Sequence, residues 1–187
     1  MCVKHCEYTF TKRQVRLMNK FRSLWEQHDV WTRETINSIV FSLPNISVVQ
    51  TRLLRNPQDM ARVFGAFFGQ SVATRIEELF TAHLTIAAEL VHAAKAGDNL
   101  AELDARRRWY ENAIEISRFL DSINQFWTFE EWIVLMNHHL GLVETEAVTL
   151  LNQRFEENVA VYDEIEKQSL EMADLMARGI IRKFRVR

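Results

Sequence analysis

Three histidines recur in one frame. In Leu24-Trp25-Glu26-Gln27-His28, Leu79-Phe80-Thr81-Ala82-His83 and Leu135-Met136-Asn137-His138-His139, a leucine precedes a histidine by four residues, and the histidines follow one another at steps of 55 and 56 residues. Imidazole is the commonest protein metal ligand and titrates near neutral pH. Three imidazoles brought to one level could therefore hold a divalent ion or move protons. With carboxylates beside them they suit zinc, iron, manganese or nickel. Common ligation requires the rings to lie within roughly 8 Å of one another, because metal–nitrogen bonds are only about 2.0–2.1 Å long.

Such residues need rigid elements to carry them. Leu17, Phe21, Leu24, His28, Trp31 and Thr35 alternate steps of four and three, the seam of a helix packed on other helices. Pro44 ends that helix, since the residue before proline is driven out of helical geometry. A short helix over residues 46–55 follows. Asn56 as N-cap with Pro57 at the first helical position then opens another, which Gly69 stops. Val72, Ile76, Leu79, His83, Ile86 and Leu90 mark a second long helix capped by Gly97, and Asn99 with Glu102 has capping-box spacing for the next, to about residue 123. Thr128 and Glu131 open a helix that turns Trp132, Leu135, His139, Leu142 and Glu146 inward; after a break near Asn152 a last helix runs to about residue 177. The expected fold is an all-α, up-and-down bundle of five to six helices, built from three pseudo-repeated helical hairpins. Residues 1–10 are expected as a flexible segment, 11–180 as a single domain, and 181–187 as a basic tail.

In an antiparallel hairpin, residues equidistant from the turn share a height. Counting outward from Gly97 pairs His83 with Glu111 and Asn112, and counting from near Asn152 pairs His139 with Lys167 and Gln168. Counting from Pro44 pairs His28 with Met60, beside Asp59. The return arms thus bring Asn56 or Asp59, Asn112 or Glu115, and Gln168 or Glu171 to the level of the histidines, with Asp163 in the last place if the third hairpin is one turn shorter. Glu146 stands two turns past His139 on the same face. The candidate metal ligands are His28, His83, His139, Glu146, Asp59, Glu115, Asp163 and Glu171. Trp25, Trp31, Trp109, Phe126, Trp127 and Trp132 could line a pocket for an apolar or planar ligand, with Trp31, Trp109 and Asn112 as candidate contacts. The same residues also have a structural reading: histidines bonded to Asn112 or Gln168 complete a polar core network without metal, and the aromatics fill the core.

Composition narrows the function classes. A net charge of −2 gives no general basic field, so nucleic-acid binding is not expected. No apolar run reaches the ~18 residues of a membrane span. Met1-Cys2-Val3-Lys4-His5-Cys6 lacks a signal-peptide core, so a cytoplasmic protein with reduced thiols is expected. Catalytic signatures built on a glycine-flanked serine or on glycine-rich phosphate loops are absent, and the di-iron pair of Glu-x-x-His motifs is represented once, at Glu89-Leu90-Val91-His92.

Leu24-Trp25-Glu26-Gln27-His28 with Trp31-Thr32-Arg33, followed by Arg52-Leu53-Leu54-Arg55-Asn56-Pro57, resembles a family of small uncharacterised bacterial helical proteins. Arg108-Trp109-Tyr110 with Asn112-Ala113, and Leu170-Glu171-Met172-Ala173-Asp174 with Gly179-Ile180-Ile181, are similar to its later blocks. Members sometimes carry the label acetylglutamate kinase. Such a kinase would need an α/β fold with glycine-rich phosphate loops, and five scattered glycines with no strand pattern give it no physical support. The function expected from the residues is a helical-bundle protein with a polar histidine and carboxylate layer that binds a divalent metal or a small ligand. The alternative is an interaction or homo-oligomerisation module whose histidines are structural.

Overall fold

The computed structural model describes residues 10–187, which form seven helices and, among the described residues, no strand. They are α1 (Lys12–Val40), α2 (Ile46–Leu53), α3 (Arg55–Phe68), α4 (Gln70–Ala96), α5 (Asn99–Ile123), α6 (Phe129–Leu151) and α7 (Phe155–Phe184). The short α2 and α3 together return from α1. Residues 1–9 of the expected flexible segment, with the thiols of Cys2 and Cys6 that are expected to be reduced, lie outside the described residues.

Cross-helix pairs fix the directions. Leu24 meets Asn56 while Phe21 meets Phe64, so α3 runs against α1. Arg22 pairs with Asp174 and Arg33 lies over Tyr162, so α7 also runs against α1. Arg75 with Glu115 and Glu89 with Arg108 make α5 antiparallel to α4, and Arg106 with Glu144 and Arg118 with Phe129 make α6 antiparallel to α5. Hence α1, α4 and α6 point one way, and α3, α5 and α7 the other. α1 packs against α7, α4, α3 and α6, and it therefore buries two adjacent rows instead of one seam: Leu24, His28 and Thr35, and Trp25, Asp29, Thr32 and Ile36.

Local chemistry sets the ends. Thr11 caps α1 through a reciprocal pair with Gln14, and Thr128 caps α6 by accepting from the Glu131 N–H. Gly97 ends α4 at φ 69°, a left-handed conformation that glycine adopts without a Cβ penalty. Four boundaries differ from expectation. α1 stops at Val40, ahead of Pro44, because Ser42 turns the chain at φ 53°. α5 is capped by Asp98, one residue before Asn99, through the Ala101 N–H. Asn56 lies inside α3 and is not its N-cap; its amide is spent on the Leu24 carbonyl at 2.8 Å. α7 continues to Phe184 through most of the expected basic tail, with Arg182 and Lys183 in its last turn, where cations oppose the helix dipole.

One end of the bundle is an aromatic plug. Phe64, Phe68 and Trp132 surround Trp127, and Phe21 packs edge-on against Phe64. Burying each such ring contributes about 1.5–3 kcal/mol. The Trp127 indole N–H donates to the Leu175 carbonyl at 3.0 Å. Gly179 makes room for it: a Cβ there would stand 1.9 Å from Trp127 Nε1.

Candidate metal centre

Two turns along α1 from Phe21 the core becomes polar. His28 and His139 place their ring centroids 5.6 Å apart, and Trp25 meets both edge-on, at 5.2 and 5.9 Å. One ring nitrogen of each histidine and one carboxylate oxygen of Asp29 all lie within 4.8 Å of one another, and all three residues are buried. Metal-bound ligand atoms at tetrahedral zinc are about 3.3 Å apart, given bonds of about 2.0–2.1 Å. Small rotations of two rings and a carboxylate cover that difference. This buried cluster could hold a metal ion.

Two of the three histidines are bonded to an amide from their return arm. Asn112 accepts at His83 Nδ1 (2.7 Å) and donates to the Leu79 carbonyl (3.2 Å). Gln168 accepts at His139 Nδ1 (2.9 Å) and donates to the Leu135 carbonyl (3.1 Å). These contacts assign the tautomer by elimination. A carbonyl only accepts, so the amide NH2 faces the leucine; the amide oxygen then faces the ring, and Nδ1 must carry the hydrogen. Nε2 is left with its lone pair. At His28 the arrangement is half closed. Asn56 donates to Leu24 and favours the charged form of the ring, yet Asn56 Oδ1 and His28 Nδ1 both lack a formed hydrogen bond.

Burial keeps all three rings neutral. It lowers His83 to about 3 and His139 to about 4, with Asn112 and Gln168 pulling each partly back. His28 is held well below the ordinary value, first by burial and then by His139 and His83. Asp29 moves the opposite way: burial raises it well above the usual carboxylate range, the Ser169 hydroxyl at 2.8 Å lowers it, and Glu146, Glu166 and Glu26 raise it further. A buried acid beside two neutral imidazoles is a site short of positive charge.

His83 shares the layer but not the tight cluster; its ring packs against Trp109 at 5.3 Å. Glu146 is buried, but its carboxylate takes the Arg33 guanidinium at 2.6 Å, and Arg33 also reaches Asn158 and lies over the Tyr162 ring. Burial raises Glu146 to about 7 against the opposing pull of Arg33. The other expected carboxylates are turned elsewhere. Asp59 pairs with Arg55 and Arg62, Glu115 pairs with Arg75 at the surface, and Asp163 and Glu171 are exposed. Trp31 is half-buried beneath Arg52 and stands outside the core row. Asp29 is the residue that the histidine spacing does not reveal. Its signal is the second row of α1, Trp25-Asp29-Thr32-Ile36, which sets one acid among residues with core spacing.

Several buried polar atoms around the layer have no partner: Trp25 Nε1, His28 Nδ1, Asp29 Oδ2, Thr32 Oγ1 and Trp109 Nε1. Buried polar groups are ordinarily satisfied, and orphans grouped at one place point to a missing ion, water or ligand. Compared with known protein families, curated proteins and solved structures, the chain matches none. No described helix is long and apolar enough to cross a membrane.

Proposed function

We propose that the protein binds a divalent metal ion in the core of its bundle, through one nitrogen each of His28 and His139 and the free oxygen of Asp29. The observation that carries this reading is the buried cluster itself, in which one carboxylate oxygen of Asp29 and one ring nitrogen each of His28 and His139 lie within 4.8 Å of one another. The amide behind His139 supports it. Ligating histidines usually donate their other ring N–H to an oxygen acceptor, which fixes the tautomer, and Gln168 does this for His139. Two imidazoles and one carboxylate form the ligand set of many zinc and non-haem iron(II) sites. Among zinc, iron, manganese and nickel, the first two therefore fit best, and three protein ligands leave coordination positions open. His83 and Asn112 flank the centre as a neutral outer pair.

The test is elemental analysis and calorimetric metal titration of protein purified without a histidine tag. The expected result is about one equivalent of zinc or iron, a fall in melting temperature on chelation, and loss of binding in Asp29→Asn and His139→Ala. Stoichiometric metal that remains in both variants, or no metal and no response to chelator, overturns the proposal.

A further inference from the structure

The two ends of the bundle are finished differently. Trp127, Phe64 and Phe68 close the plug end. α1, α4 and α6 all finish at the other end, where three turns hand the chain on to α2, α5 and α7. Turns are ordinarily polar. Each of these three instead shows two large apolar side chains to water: Phe41 and Leu43 after α1, Leu100 and Leu103 at the start of α5, and Phe155 and Val159 at the start of α7, exposed by 37–82%. At about 150–250 Å² for a large side chain, these exposed fractions amount to on the order of 600 Å². That equals the largest apolar patch of an ordinary monomer, about 300–600 Å², and is most of the about 800 Å² that each partner buries in a standard interface.

Charge and shape select the partner. Arg106 is held by Glu144, Arg107 by Asp104 and Glu111, Arg108 by Asp104 and Glu89, and Arg154 by Glu157. Lys95 is spent on the Ile39 carbonyl and the Ser42 hydroxyl. With these cations engaged inside the chain, the end holds no field that would draw a phosphate-rich molecule or an anionic lipid surface. A two-fold contact between copies needs projection and recess on one surface. Leu100, the most exposed of the six, is the projection. The recess is an apolar slot of about 160 Å³ that opens to solvent and whose half-buried Ala94, Glu102 and Leu151 belong to this end. We infer that the open end of the bundle is the interface of a homodimer, in which two copies meet end to end about a two-fold axis. The inference is independent of the metal reading, since His28 lies about 20 Å back along α1 from Phe41.

Sedimentation velocity and small-angle X-ray scattering on the full chain test it. At about 50 µM the protein is expected to sediment as a dimer, with Kd about 10 µM or tighter, and to scatter as a particle nearly twice as long as the monomer. Leu100→Glu combined with Leu103→Glu should leave a monomer, weakening association more than about a hundredfold. Both sites lie in the first turns of α5, where acids favour the helix dipole, so the melting curve should show a folded protein. Phe155→Glu should weaken association by about tenfold or more. Val134→Glu, equally exposed but on the flank of α6, should leave the dimer intact. A monomeric parent, a dimer that persists undiminished in either end variant or is lost in Val134→Glu, or a compact side-by-side shape overturns the inference. A monomer that instead binds phosphatidylcholine vesicles also overturns it and gives the open end to a lipid surface.

Discussion

The aromatic plug and the histidine layer are built alike, each from side chains of several helices meeting in the core, and they end in opposite states. At the plug Trp127 has found an acceptor in the Leu175 carbonyl, and Gly179 has yielded the space for its ring. Trp132 Nε1 and Asn124 Nδ2 stay open there, but no titratable group does. In the layer the open atoms include an imidazole nitrogen and a carboxylate oxygen. Packing that serves only stability leaves little unsatisfied charge behind. A layer that keeps a protonatable acid and neutral histidines at the centre of the bundle sacrifices stability, as sites kept for binding commonly do.

Substitutions can pull the two regions apart. The largest effect is expected from His28→Ala, His139→Ala and Asp29→Asn, each weakening zinc more than about a hundredfold, since removing a ligand costs more than the roughly tenfold to hundredfold typical of removing a residue that only hydrogen-bonds to a ligand. Asp29→Asn should at the same time leave the metal-free protein no less stable, because a neutral amide replaces a buried acid. Gln168→Leu should follow with about a tenfold to hundredfold loss of zinc affinity. In the plug, Gly179→Ala forces Trp127 to move. It should lower unfolding free energy by about 1–3 kcal/mol in denaturant melts while zinc affinity is unchanged; a matched loss of affinity would mean that the two regions are not independent.

The smallest expected effect is the dependence of metal-free stability on pH. The unfolded histidines take up protons near pH 6.5, whereas folded His139 and His83 wait until about 4 and 3, and His28 is likewise held low. Stability from these three is whole above pH 6.5 and is lost as pH falls below it. Glu146, raised to about 7, and Asp29, also raised, act in the opposite sense: the folded state keeps their protons, so their contribution fades as pH rises. With three imidazoles held low against two carboxyls held high, the unfolded chain is expected to bind more protons than the folded one between roughly pH 6.5 and 4.5, so metal-free stability should fall as pH falls through that range. Urea melts across that range check the sign, and saturating zinc should steepen the slope because protons compete with the ion.

Much of this architecture can be read from spacing. Counting from Gly97 brings His83 level with Asn112, counting from Asn152 brings His139 level with Gln168, and the hydrogen bonds join those pairs. Counting yields height but not the direction a side chain faces around its helix. Glu115 and Glu171 stand three residues past the partner amides, yet they are exposed. Asp29 and Trp31 show the complementary difficulty. A single-seam reading turns Trp31 inward and leaves Asp29 out, but α1 is surrounded, and the breadth of its buried arc depends on how many neighbours pack around it. That number belongs to the tertiary structure. The orphaned atoms are likewise invisible in the sequence, since they are defined by partners that fail to arrive.

Trp25 has a consequence for observation. Its indole sits edge-on to His28 and to His139, the two imidazoles whose occupation is in question. The chain thus carries a built-in optical gauge at the centre. A closed-shell ion such as zinc leaves indole emission bright, whereas an ion with unpaired electrons dims it through close-range quenching. Fluorescence of the unlabelled protein, compared with Trp25→Phe, can therefore report which kind of ion has entered.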